Sequence, residues 1–205
     1  MLISVSGSQS CGKSSTLKVI ADMGFPVVQR KTSRSILQEW NITLDEVNKN
    51  PTLAIKFQEE IITRKYNDEL AFSEQYPDTL VFTERTYADL FAYTMASMGA
   101  QNEYCDWINH YFDRCLQLQQ SYSHVFYLKP IGVTPDGVRS ENIHFAQMID
   151  LIMINYTEQM TLSSKLDVIN QSTVANRANQ IVSKSLQTID WNVTEIVDLL
   201  GRKIK

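Results

Sequence analysis

The chain has 205 residues, 43% of them apolar and 20% charged, with a formal net charge of −4. That is the composition of a globular protein with enough chain to bury a full core. The acidic total gives no overall pull toward nucleic acid or an anionic membrane, although a local basic patch can coexist with it. No apolar run approaches the ~20 residues that span a bilayer, and the cysteines Cys11, Cys105 and Cys115 lack paired spacing. Neither a membrane span, a disulfide framework nor a zinc site is therefore expected. The chain enters a glycine-rich stretch by Gly7 with no basic leader before it, so a reduced, cytoplasmic protein is expected.

In chain order, Leu2 to Ser6 reads as a buried strand. Lys13 to Met23 has helical periodicity through Leu17, Ile20 and Ala21, with Gly24 as its stop. Pro26-Val27-Val28 reads as a second short strand, followed by a basic stretch and a helix carrying Ile36, Leu37 and Trp40. A short helix is predicted over Thr43 to Asn48. A long one should run from Pro51 to about Ser73, with Leu53, Phe57, Ile61 and Ile62 on one face. Thr79 to Thr83 is the clearest interior strand; helices follow over Tyr87–Met98 and Asn102–Tyr122.

His124 to Leu128 is a fourth strand, halted by Pro130. Residues Gly132 to Ser140 read as a loop, Glu141–Met160 as a long helix, Leu166–Ile169 as a last strand, and helices finish the chain. Short apolar runs alternating with helices imply a three-layer α/β/α fold. Its mostly parallel, five-stranded sheet would be covered on both faces, in a single domain spanning 1–205 with a short lid at about 132–142.

Gly7-Ser8-Gln9-Ser10-Cys11-Gly12-Lys13-Ser14 matches G-x-x-x-x-G-K-[ST] in full, between a predicted strand and a predicted helix. The glycines permit backbone angles that turn successive N–H groups onto phosphate oxygens. Lys13 is placed to reach the β- and γ-phosphates of ATP, and Ser14 to ligate Mg²⁺. The nucleotide-contacting set is therefore Gly7 through Ser14, with Ser15 next in the helix start. Cys11 is a spacer in this pattern, not a nucleophile.

Thr83-Glu84-Arg85-Thr86 puts an acid and a base at the carboxyl end of a buried strand, the edge where open α/β sheets bind ligands. Glu84 suits either a magnesium-bound water or the proton of an acceptor hydroxyl. Arg85 suits bidentate contact with an acceptor or a phosphate. Asp89 and Tyr93 share one helical face beyond them and are acceptor candidates; helix capping and core packing are the plainer alternatives. Arg30, Lys31 and Arg34 follow the second strand, and Arg30 and Arg34 are candidates for an anionic acceptor such as a nucleotide or a DNA backbone. Arg139 lies in the 132–140 loop, where it could neutralise transition-state charge, although Pro135-Asp136-Gly137 is also a plain turn signal. Asn170 to Thr173 belongs near the nucleotide base by topology. His110, His124 and His144 have no ligand spacing. Trp107 with Tyr104 and Tyr111 forms an aromatic stripe suited to packing.

On Gly7–Ser14, on Thr83-Glu84-Arg85-Thr86 with Asp89 and Ala92-Tyr93, and on Asp136-Gly137-Val138-Arg139-Ser140, the chain resembles the small P-loop kinases of the nucleoside and nucleotide kinase superfamily. It is most similar to a bacterial and phage group of AAA-type, ribosylnicotinamide-kinase-like proteins, which the phage kinases of hydroxymethylated pyrimidines in DNA also resemble. The resemblance covers roughly residues 1–185. It implies magnesium or proton-transfer duties for Glu84 and Arg85, a lid arginine at Arg139, and ATP with Mg²⁺ as cofactors. Many relatives carry an acidic residue near the second strand's end, where this chain reads Gln29-Arg30-Lys31; that departure favours an acceptor bearing negative charge. The expected activity is ATP-dependent phosphoryl transfer to a nucleoside- or nucleotide-type acceptor, with a DNA base as one candidate. A P-loop ATPase switch is the competing class, separable by whether hydrolysis needs an acceptor.

Overall fold

A computed structural model of the chain describes residues 1–28, 32–130 and 143–188. Its strands are β1 (Leu2–Ser6), β2 (Val27–Val28), β3 (Val81–Glu84), β4 (His124–Leu128) and β5 (Leu166–Ile169). They form one sheet in the order β2-β3-β1-β4-β5, and every pairing is parallel. The helices are α1 (Lys13–Asp22), α2 (Thr32–Trp40), α3 (Leu44–Lys49), α4 (Pro51–Gln75), α5 (Tyr87–Met98), α6 (Cys105–Gln119), α7 (Ile143–Met160) and α8 (Val174–Gln187). Among the described residues, no helix is long and apolar enough to cross a membrane.

Alternation along the strands divides the interior into two layers. Leu2, Val81 and Val125 point to one face and pack with Ile36 of α2, Val47 of α3, and residues of α4, α5 and α6. Their neighbours Ile3, Phe82 and Phe126 point to the other face and pack with Leu17 and Ile20 of α1 and Ala178 and Ile181 of α8. Tyr127 of β4 meets Ile149 and Met153 of α7. Parallel strands buried on both faces explain why the sheet reads as apolar runs without polar alternation.

Local chemistry sets the helix starts. Thr43 forms a capping box with Glu46 ahead of α3. Asn50 accepts from the Leu53 N–H, with Pro51 in the first turn of α4. Thr86 and Thr173 cap α5 and α8 through the Asp89 and Asn176 N–H groups. Such caps satisfy amides that the helix itself leaves unpaired.

Several predicted bounds move by one or two residues, and two differences bear on the sheet and its cover. The strand expected at Thr79–Thr83 is Val81–Glu84, because its register on β1 runs from Leu2↔Val81 to Val5↔Glu84. The helix expected over Asn102–Tyr122 divides into a 3₁₀ turn at Asn102–Tyr104 and α6. The predicted lid at about 132–142, with Arg139, and the helices predicted beyond residue 188 lie outside the described residues, as do Arg30 and Lys31.

Candidate functional site

The centre of the sheet defines the site. β1 has β3 on one side and β4 on the other, so the turn after β1 lies beside the turn after β3 at the carboxyl edge. That is where a parallel α/β sheet opens a crevice.

The turn after β1 is made by the backbone. Gly7, Ser10 and Gly12 have φ of 136°, 60° and 85°. A side chain at Gly7 would be crowded as well as strained: its Cβ would lie 2.6 Å from the Leu128 carbonyl oxygen and 2.8 Å from Cys11 Sγ. Cys11 is fully buried and packs with Ile3, Val5 and Leu17 in the core beneath the loop. Gly12 is the N-cap of α1, and neither a capping side chain nor a first-turn carboxylate meets that helix start. Its positive end is thus presented to the loop.

Lys13 is buried and folds back over the loop. Its Nζ donates to the carbonyls of Gly7 at 2.7 Å and Ser8 at 2.8 Å and lies 3.4 Å from Cys11 Sγ. Ser8 is buried, Gln9 and Ser10 are half-buried, and Ser14 and Ser15 are exposed at the start of α1. A curl of amides with one ammonium across it suits a polyphosphate.

The two turns meet through Ser14 and Glu84. Ser14 Oγ donates to the Glu84 carboxylate at 3.0 and 3.2 Å, joining residues that the sequence places in separate motifs. Magnesium takes hard oxygen donors, usually one or two from protein, with waters and phosphates completing its shell. A hydroxyl and a carboxylate side by side fit that demand. Among the described residues, no group of three or more His, Cys, Asp or Glu side chains could hold a metal, so a fully protein-ligated ion is not indicated there.

Beyond Glu84, the chain turns sharply at Arg85, which has φ 69° despite its side chain. Main-chain contacts hold it there: the Arg85 N–H donates to Val5 O at 2.9 Å, and Ser4 Oγ donates to Arg85 O at 2.7 Å. The guanidinium lies over the Tyr93 ring, 4.9 Å from its centroid, a cation–π stack. Its Nη1 is buried with no hydrogen-bond partner among the described residues. Burial works against its charge, but Tyr93, Asp89 and Glu84 outweigh that and hold its pKa above the ordinary arginine range.

Asp89 is fully buried. Its Oδ1 accepts from Ser6 Oγ at 2.5 Å and Thr86 Oγ1 at 2.9 Å, which ties the end of β1 to the start of α5. Its Oδ2 is buried without a hydrogen-bond partner among the described residues. Lys13, Ser14, Glu84, Arg85, Asp89 and Tyr93 are thus gathered at one edge. Arg34 lies exposed in the first turn of α2 after β2, with no hydrogen bond or ion pair to this cluster among the described residues.

Three supporting residues carry no motif. Lys65 of α4, 7% exposed, donates to Glu69 at 2.6 Å, to Thr83 Oγ1 at 3.3 Å and to the Glu84 carbonyl at 3.1 Å. Glu69, 3% exposed, also accepts from Thr83 at 2.8 Å, Tyr87 at 2.7 Å and Tyr122 at 3.1 Å. Burial and the adjacent Glu69 charge push both tyrosine pKa values up, so both stay neutral donors. This cluster lies directly behind Glu84. Arg177 of α8 is the third. Each of the three interrupts a buried helical stripe with a charge, which is the signal that could have found it.

Residues 2–177 match the family described as AAA domain. No curated protein sequence matches the chain significantly. Among solved structures, the NadR protein in complex with NR superposes with a TM-score of 0.71 at 16% identity, over 89% of this chain and 50% of that one. A NadR structure with NAD and AMP-PNP gives 0.58 at 14% identity, over 93% and 50%. Deoxyadenosine kinase from M. mycoides, with the products dCMP and a flexible dCDP, gives 0.61 at 17% identity, over 92% and 100%. The chain spans about half the length of the NadR structures. At these identities the likeness is one of fold: a P-loop α/β fold shared with nucleoside kinases.

Proposed function

The chain belongs to the AAA domain family, and on that footing we propose that it transfers the γ-phosphoryl group of ATP to a hydroxyl of a nucleoside- or nucleotide-type acceptor. The observation that carries this reading is the Ser14–Glu84 contact, because it sets the phosphate-binding turn against a carboxylate and an arginine suited to an acceptor. The structural neighbours support the substrate class: NR accompanies NadR, and deoxyadenosine kinase carries dCMP.

In this mechanism, the Gly7–Ser14 amides grip the β- and γ-phosphates, and Lys13 exchanges the Gly7 and Ser8 carbonyls for phosphate oxygens. Ser14 and Glu84 would hold Mg²⁺, which supplies charge neutralisation at the β- and γ-oxygens when bound. Arg85, braced on Tyr93, orients the acceptor. Buried Asp89 keeps the turn in place through Ser6 and Thr86, with its second oxygen left for an acceptor hydroxyl. The transition state is loose, so the attacking hydroxyl keeps its proton until the new P–O bond is well advanced; where Glu84 holds the ion through a bound water instead of directly, its carboxylate is free to receive that proton. Arg139 is proposed to neutralise charge on the transferring group. Arg30 and Arg34 are proposed for the negative charge of a phosphorylated acceptor. The whole chain is read as one kinase domain.

γ-Labelled ATP offered with nucleosides, nucleoside monophosphates, and plain or hydroxymethylated DNA tests the reading. Label is expected on a free nucleoside or monophosphate, with ADP formed only when that acceptor is present. Label on hydroxymethylated DNA alone would move the acceptor class to a DNA base. Equal ATP hydrolysis with and without acceptors would replace the kinase with an ATPase switch.

A further inference from the structure

Arg177 is 1% exposed, heads the largest fully buried side chains among the described residues, and takes no part in the mechanism above. It sits on the buried stripe of α8 with Ala178, Ile181 and Ser185. Its Nε donates to Gln171 O at 2.6 Å, its Nη1 to Cys11 O at 2.5 Å and its Nη2 to Lys129 O at 2.7 Å. These carbonyls belong to three separate segments, following β5, β1 and β4, all at the carboxyl edge. No carboxylate among the described residues pairs with it. A buried guanidinium without a counter-charge is costly, and burial pulls its pKa down. Its planar guanidinium nonetheless holds its donors in a rigid fork, which here spans carbonyls on three separate segments.

The bond to Cys11 has a directional consequence. In a planar trans peptide, the carbonyl of one residue and the N–H of the next point to opposite sides. A donor that holds Cys11 O from the α8 side therefore turns the Gly12 N–H to the opposite side. Ser10 and Gly12, on either side of Cys11, both have positive φ, the alternation that makes successive amides converge on an anion. The competing state is a flip of the Cys11–Gly12 peptide, which Gly12 tolerates because it has no Cβ. The flip would aim a carbonyl at the place of a phosphate.

We infer that Arg177 is a positioning residue of the phosphate site: by clasping the Cys11 carbonyl from behind, it locks the Cys11–Gly12 peptide in the orientation that binds a polyphosphate. Lys13 works on the same turn through the Gly7 and Ser8 carbonyls. The turn is thus held between two cations with different duties, one that leaves its carbonyls for the ligand and one that stays. The inference rests on the nucleotide-binding part of the proposed function and extends it to a residue outside the motif.

Calorimetry with tripolyphosphate and with Mg·ATP tests it on the full chain, comparing wild type with Arg177→Lys and Arg177→Met at a temperature where each melts cooperatively above the assay. Arg177→Met should weaken tripolyphosphate binding by about tenfold or more, the loss of a charge-assisted hydrogen bond. Arg177→Lys should weaken it by less. A purely structural arginine would lower the melting temperature and leave the affinity of the folded fraction unchanged, and that result would overturn the inference. Should Arg177→Met fail to fold, Arg177→Lys still decides: wild-type affinity in it is equally fatal. The amide resonance of Gly12 gives a second readout. A single peak is expected in wild type, shifting when tripolyphosphate is added, and a second, flipped population in the Lys variant; identical spectra in the two proteins would contradict the lock. If wild type itself binds neither probe, it is the nucleotide reading that fails, a result distinct from wild-type binding that the variants retain.

Discussion

The turns after β1 and β3 meet at the Ser14–Glu84 contact, yet they are built in opposite ways. The first takes its shape largely from consecutive residues: glycines at 7 and 12 permit two of its three positive φ values, Ser10 having the third, and its lysine bonds carbonyls five and six residues away. The second puts an arginine at φ 69° and holds it there with distant partners. Ser4 lies 81 residues from Arg85, and Lys65 lies 19 from Glu84. One turn is drawn mainly by local backbone freedom, with Arg177 alone reaching it from afar; the other is held throughout by side chains that the fold delivers. Residues that grip a ligand are therefore separable from residues that hold the frame, and substitutions should divide along that line.

The sharpest division is between Glu69 and Lys13. Glu69→Leu leaves Lys65 as an uncompensated buried charge and deprives Thr83, Tyr87 and Tyr122 of their acceptor. Removing one partner of a buried pair costs about 3–5 kcal/mol, which urea denaturation should read directly. Lys13→Met gives up hydrogen bonds to two carbonyls but also removes a buried ammonium, so its net cost should be only about 1–2 kcal/mol, while phosphoryl transfer falls about 100-fold or more. Combining Lys65→Met with Glu69→Leu should recover part of the lost stability, since the uncompensated charge is gone while Thr83, Tyr87 and Tyr122 still lack their acceptor. Transfer should not recover with it, because the Glu84 carbonyl has lost its donor. Equal destabilisation by Lys13→Met and Glu69→Leu would erase the distinction between the turns.

The same contrast explains what could be read from the sequence. Gly7 through Ser14 was legible because its geometry depends on contiguous residue types. The sheet was legible because strands buried on both faces are apolar runs. α4 shows where such reading stops. Its periodic face was clear through Phe57, Ile61 and Ile62, but the buried stripe continues into Lys65 and Glu69, where charge normally signals solvent. The charges interrupting the stripe are visible in the sequence, but the partners on β3, α5 and Tyr122 that make them tolerable are not. Arg177 was missed for the same reason, since its acceptors are main-chain carbonyls with no residue code. The sequence reads Cys11 only as a spacer; its packing under the loop emerges only when the Leu17 and Ile3 side chains are brought beneath it.

A smaller effect probes the second turn alone. Positive φ costs a residue with a Cβ about 1 kcal/mol relative to glycine. Arg85→Ala and Arg85→Gly remove the same guanidinium from Tyr93, so both should impair acceptor use to a similar extent. Arg85→Gly should be the more stable of the two by about 1 kcal/mol. If thermal unfolding ranks them equal, the backbone at 85 is not strained, and the distant contacts are not holding it against its preference.

The smallest effect comes from a charged cluster at the other end of the sheet. His124 opens β4 and Asp167 lies near the start of β5, so their contact belongs to the amino edge, away from both turns. Asp167 accepts from His124 Nε2 at 2.9 Å and is paired with Lys184. Burial raises its pKa, but the hydrogen bonds from Lys184 and His124 outweigh burial and hold it below the ordinary value. A lowered folded-state pKa contributes stability above the unfolded value of about 4 and loses it as pH falls through the folded one. With Lys184 substantially exposed, Asp167→Asn should cost only about 0.5–1 kcal/mol at neutral pH. The gap between wild type and variant should close as the solution is acidified below about pH 4, where the wild-type carboxyl also becomes neutral. Nucleotide affinity should stay unchanged, because nothing at this edge touches Ser14, Glu84 or the Cys11 carbonyl. A change in affinity would mean that charge at one end of the sheet reaches the other, and that the division between frame and grip runs through the whole sheet instead of between two turns.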